Sequence, residues 1–136
     1  MMTLPLVLRG DARPFVIIGG GPVAARKTAT LLQAGASVAV ISPKVTTDIQ
    51  KLADDGHIQL ELRPASADES FPAGSFVVLA SNDGDLNEAL AAVARNAGCL
   101  VCRTDKTQDN DFIFPAVIDR APLMVSVSTS GSAPAL

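Results

Sequence analysis

The sequence predicts an α/β domain built on a doubly wound, mostly parallel sheet, and three observations carry that expectation. Short unbroken apolar runs recur along the chain, segments of helical spacing separate them, and the first run ends in three consecutive glycines. A strand buried on both faces reads as a continuous apolar run, and strands that alternate with helices need crossover connections, hence parallel neighbours. At 136 residues the chain is the size of one domain. Its 48% apolar and 18% charged residues lie far from the composition of a disordered polymer.

Phe15-Val-Ile-Ile18 is the first strand, feeding the turn Gly19-Gly20-Gly21. Pro22 suits the first turn of a helix, Val23, Ala24, Lys27, Leu31 and Ala34 follow at helical spacing, and Gly35 supplies the stop. Ser37 to Ile41 is the second strand, which completes one βαβ unit. Thr47 and Gln50 match a capping box for a short helix that Gly56 closes. Ile58, Leu60 and Leu62 alternate with polar residues, the pattern of a half-exposed strand near a sheet edge. Phe76 to Ala80 reads as a central strand, Leu86, Leu90, Val93 and Ala97 as a helical stripe, and Cys99 to Cys102 as a fifth strand. From Phe112 the pattern changes: Phe112 to Ile118 and Leu123 to Ser128 read as two strands around a turn at Asp119 to Pro122, with no helix between them. This places a boundary between a domain of residues 1–113 and a second segment, 114–136, whose Ser/Thr/Gly/Ala/Pro ending adds no core.

Charge and composition exclude several classes of function. A net charge of −3 argues against a general nucleic-acid or anionic-membrane surface. No apolar stretch reaches the roughly 18 to 20 residues of a membrane span, and residues 1–13 lack the pattern of a signal peptide, so the expected location is cytoplasmic. Cys99 and Cys102 form a C-x-x-C, but an offset of three within a strand points the two thiols to opposite faces. With one histidine, His57, and no cluster at ligand spacing, no metal site is expected.

Gly19 to Ala24 satisfies G-x-G-x-x-A directly after a buried strand and at a helix start, which points to dinucleotide binding. Gly19, Gly20, Gly21, Pro22 and Val23 are therefore the candidate pyrophosphate binders, with the helix dipole assisting. The second strand ends in Ile41-Ser42-Pro43-Lys44 without the acidic residue that usually grips a ribose. Ser42 suits a 2′-hydroxyl, whereas Ser42 with Lys44 suits a 2′-phosphate, so charge leaves NAD and NADP both open. After the fourth strand, Ser81 and Asn82 are candidates to line the nicotinamide ribose, Asp83 reads chiefly as a helix N-cap, and Asn87 faces either cofactor or water. Asp105 opens the loop after the fifth strand, as a turn residue or as an acid/base for hydride chemistry.

Taken together, Ile17 to Lys27, Ala80-Ser-Asn-Asp83 with Asn87, Asp105, Asp111-Phe-Ile-Phe-Pro115 and Asp119 to Val125 resemble the N-terminal module of siroheme synthase, the precorrin-2 dehydrogenase / sirohydrochlorin ferrochelatase family. Leu4 to Leu8 resembles the segment which that family places before its first strand. The resemblance implies NAD-dependent oxidation of precorrin-2 to sirohydrochlorin, with Asp105 as the acid/base, and Fe²⁺ insertion at the same site in some members. It also favours NAD over NADP and implies a homodimer formed through the segment after residue 113. A polycarboxylate tetrapyrrole needs cations nearby, for which Arg103, Lys106 and Arg120 are the candidates. Arg103-Thr104 and Thr129 depart from the family pattern, and the chain ends shortly after Ala133-Pro134, where family members continue into a dimerisation and helical region. The alternative reading is an NAD-sensing regulatory module, which needs the glycine loop but not a proton-handling aspartate.

Overall fold

The computed structural model describes residues 2–129. In chain order the elements are β1 (Phe15–Ile18), α1 (Pro22–Gln33), β2 (Val38–Ser42), α2 (Thr47–Asp54), β3 (Gln59–Leu62), β4 (Phe76–Leu79), α3 (Gly84–Asn96), β5 (Leu100–Arg103), β6 (Ala116–Arg120) and β7 (Leu123–Val127). The first five strands form one parallel sheet of order β3-β2-β1-β4-β5, and β6 and β7 form a separate antiparallel pair. The α/β architecture expected from the apolar runs is therefore present.

Ile18 stands opposite both Ile41 and Leu79, so β1, β2 and β4 end level and send their loops to one edge of the sheet. The order reverses between β1 and β4, and such a switch point is where open α/β sheets leave a crevice for ligands. On one face Val16, Ile18, Val77, Leu79 and Val101 pack under Leu90, Ala91 and Ala94 of α3. On the other, Ile17, Val38, Val40 and Val78 pack under Ala24 and Leu31 of α1 and Ile49 of α2. The cysteines divide as the strand offset requires. Cys99 joins the α3-side core, while Cys102 lines a cleft beside Lys27 of α1, and both are buried free thiols.

Two expectations need correction, and the end of the sheet adds a feature of its own. The cap of α2 is Thr46 rather than Thr47: Thr46 keeps an extended backbone and its hydroxyl accepts from the Ile49 N–H, while the Gln50 side chain turns away to donate to Asp54. The strand expected from Phe112 starts only at Ala116, because Phe112 and Phe114 pack, partly buried, against the core and Pro115 brings no N–H to a ladder. Phe112 packs on Phe76 and Phe15, with ring centroids 5.1 and 6.5 Å apart, and Phe114 continues the series at 5.7 Å from Phe112. Finally, β5 is an edge strand, and its open side is covered by loop residues. Asn110 accepts from the Arg103 N–H and donates to the Arg103 carbonyl, while the Asp111 carboxylate accepts from the Val101 N–H and the Asp111 N–H donates to the Val101 carbonyl.

Every residue of β6 and β7 is exposed, including Ile118, Leu123 and Met124. Among the described residues no helix is long and apolar enough to cross a membrane. The end of the predicted second segment, residues 130–136, lies outside the described residues.

Candidate active site

The glycine turn is shaped by two close approaches. Gly19 has φ +126°, and a Cβ there would lie 2.6 Å from the Ala80 carbonyl oxygen, so the loops leaving β1 and β4 touch at the switch point. At Gly20 a Cβ would fall 2.1 Å from the Lys44 carbonyl oxygen, and the Gly20 carbonyl accepts from the Thr46 N–H. Gly20 thus packs the turn against the loop after β2. Gly21 is different: nothing lies within 4 Å of the place its Cβ would occupy.

That open space faces the start of α1, where Gly21 is the N-cap and brings no side chain, Pro22 follows, and the first turn holds no acidic residue. The other two helices are closed by the side chains of Thr46 and Asp83 and carry Asp48 and Asp85 in their first turns. A helix start with unsatisfied N–H groups, a positive dipole end and no competing carboxylate suits an anion. The residues present therefore fit a dinucleotide's pyrophosphate.

Ser42 is buried, and its hydroxyl donates to the Lys44 carbonyl at 2.7 Å, which leaves the oxygen only its acceptor lone pairs. Lys44 itself is exposed. Ser81 donates to Oδ1 of the fully buried Asn87 at 2.7 Å, and Asn87 donates back to the Ser81 carbonyl at 3.0 Å. Asn87 thus braces the loop after β4. Asn82, next along, is exposed at the sheet edge, and Asp83 caps α3 by accepting from the Leu86 N–H.

The loop after β5 brings Asp105 back to the start of α3. Arg103 is on the same face of β5 as Val101, and its guanidinium grips both oxygens of Asp105, Nε to Oδ1 at 3.1 Å and Nη2 to Oδ2 at 2.9 Å. It also holds Glu88 and the Gly84 carbonyl, and the Arg103 side chain is 7% exposed. The guanidinium of Arg103 and a further hydrogen bond from Asn87 hold the Asp105 carboxyl below the usual carboxylate range. Asp105 is therefore ionised at neutral pH, the form able to accept a proton, with low basicity.

On the α1 side of the sheet lies a cleft of about 350 Å³ between α1, the end of β5 and the segment leading into β6. Arg26, Lys27 and Lys106 line it, and among the described residues no acidic one does. Of the three cations expected near a substrate, Lys106 is in this cleft, Arg103 borders it with its guanidinium committed to Asp105 and Glu88, and Arg120 lies on the exposed hairpin outside it. Arg26 and Lys27 escaped the sequence reading. Their spacing from Val23, at i+3 and i+4 on one helix face, is the signal that would have found them.

The sheet order and the glycine turn define a Rossmann-type α/β domain with an anion-ready helix start. Residues 6–116 match the family described as putative NAD(P)-binding, and the chain belongs to that family. Over 133 residues it is 42% identical to a siroheme synthase of Methylococcus capsulatus, covering 98% of this chain and 28% of that protein. Over 136 residues it is 39% identical to the siroheme synthase of Nitrosococcus oceani, covering all of this chain and 29% of that protein. The chain thus spans under a third of the length of these curated relatives. Among solved structures, "SirC, precorrin-2 dehydrogenase" is similar with a TM-score of 0.84 and 25% identity, over 97% of this chain and 64% of that one.

Proposed function

We propose that the chain binds NAD and oxidises precorrin-2 to sirohydrochlorin. The observation that carries this reading is the uncapped, acid-free start of α1 behind the glycine turn, placed at the switch point of a fold shared with a precorrin-2 dehydrogenase. Bound NAD supplies the hydride acceptor. Gly19, Gly21, Pro22 and Val23 hold the pyrophosphate, and Ser81 and Asn82 border the nicotinamide ribose. The Ser42 oxygen can only accept, which suits a 2′-hydroxyl donor better than a 2′-phosphate and supports NAD over NADP. Asp105, kept ionised by Arg103, takes up the proton released as the substrate is oxidised. The exposed apolar hairpin supports a homodimer built through residues 114–136.

The test is anaerobic incubation with precorrin-2 and NAD. Sirohydrochlorin absorbance and NADH are expected together. NAD binding with no turnover would make the chain a sensor of the nucleotide instead.

A further inference from the structure

Lys27 is a half-buried ammonium that, among the described residues, meets no carboxylate. It follows Val23 by four residues on α1, one turn beyond the glycine loop on the same helix face, about 6 Å along the axis. Its Nζ stands 4.3 Å from the centroid of the Phe114 ring. Cys102 and Lys106 line the same cleft. Burial pushes the Cys102 thiol up to about 11, so it carries no countercharge at neutral pH. Lys106 pairs with Glu88 at 3.7 Å, but among the described residues no ion pair includes Lys27 or Arg26. Burial also lowers the pKa of Lys27, the mark of an ammonium short of both water and anion.

A half-buried cation against an aromatic wall, with a second cation one residue before it and no acid among the described residues lining the space, is a receptor for an anionic oxygen group. Two sources offer one: the cofactor's phosphates and a substrate's carboxylates. The uncapped amides at the start of α1 already provide for the pyrophosphate, and Lys27 lies a turn away from them, toward the hairpin segment. We propose that Lys27, supported by Arg26, anchors a carboxylate of the substrate in this cleft, with Phe114 as the wall for its apolar body. The identity of the carboxylate's bearer rests on the tetrapyrrole reading above.

Uroporphyrin, an octacarboxylate porphyrin, is the probe, and its binding to the full chain is followed by fluorescence beside NAD binding by calorimetry. Lys27→Met is expected to weaken uroporphyrin binding by about tenfold or more, with NAD affinity and melting temperature close to wild type. Lys27→Arg should restore most of the loss, and Lys51→Met, which removes an exposed cation on α2, should do nothing. If Lys27→Met destabilises the fold, Lys27→Gln replaces it in the same comparison. Unchanged uroporphyrin binding in the variant, a loss of NAD affinity of equal size, or no uroporphyrin binding by the wild type each overturns the proposal. Precorrin-2 turnover separates this inference from the reading it rests on. Lys27-dependent porphyrin binding without turnover sinks the dehydrogenase and keeps the anchor. Turnover whose KM ignores Lys27→Met sinks the anchor and keeps the dehydrogenase.

Discussion

Neighbouring glycines in one turn do different work, and substitutions separate them. At Gly21 the backbone is extended and the space beyond is open, so Gly21→Val is expected to fold normally while its branched side chain occupies the place of the pyrophosphate. Calorimetry should show NAD affinity lost and the melting temperature held. At Gly20 even a methyl group meets the Lys44 carbonyl, and Gly20→Ala should cost on the order of 1–3 kcal/mol in denaturant unfolding. Asp105→Ala is expected to slow precorrin-2 turnover by about 10²-fold or more with NAD binding intact. Arg103 acts on Asp105 with a definite sign. Because the guanidinium lowers the carboxyl's pKa, Arg103→Met should let it rise toward the ordinary carboxylate value, moving the acid limb of kcat/KM to higher pH. Arg103→Lys, which keeps a charge but not the two-pronged grip, should shift it less. An acid limb that stays in place in both variants would show that Asp105 does not titrate in the rate. The glycine motif was legible in the sequence because its three positions are local. The Arg103–Asp105 grip was not: the pair spans a strand end, and it forms only because β5 turns Arg103 onto the α3 face.

At the scale of elements, the parallel strands announced themselves as apolar runs, since burial on both faces leaves no polar alternation. The run from Phe112 misled for the same reason. Its aromatic residues pack against the core as rings, Phe112 laid on Phe15 and Phe76 and Phe114 on Phe112, rather than as a strand. Nor does composition reveal that β5 ends the sheet, for its open edge is sealed by Asn110 and Asp111 side chains instead of a sixth strand. Asp111→Ala removes the acceptor for the Val101 N–H and the partner of Arg95, and should destabilise by about 1–3 kcal/mol. Hydrogen exchange at Val101 is the local readout. The loop after β3 has its own pH signature. Glu69, 7% exposed, pairs with Arg63 at 2.5 Å, and that hydrogen bond sets its pKa below the unfolded value of about 4.3. Its contribution is therefore complete above that value and lost as the pH falls through the folded pKa. Acid titration of stability should flatten in this window in Glu69→Gln.

For the whole molecule, the sheet domain buries its core and the hairpin buries nothing. A two-stranded pair with both faces exposed is marginal in water. We therefore expect reversible, concentration-dependent dimerisation through β6 and β7, and a monomer at high concentration in sedimentation velocity would count against that interface. Phe114 stands at the join, one ring in a series reaching back to β1 and at the same time the face on which the Lys27 ammonium rests. A second copy docked on the hairpin would fix that ring, and with it the position of the cation. Binding energies joined through a shared part are reciprocal. Whatever factor assembly adds to the affinity of an anionic ligand, that ligand must return to the association constant of the two chains.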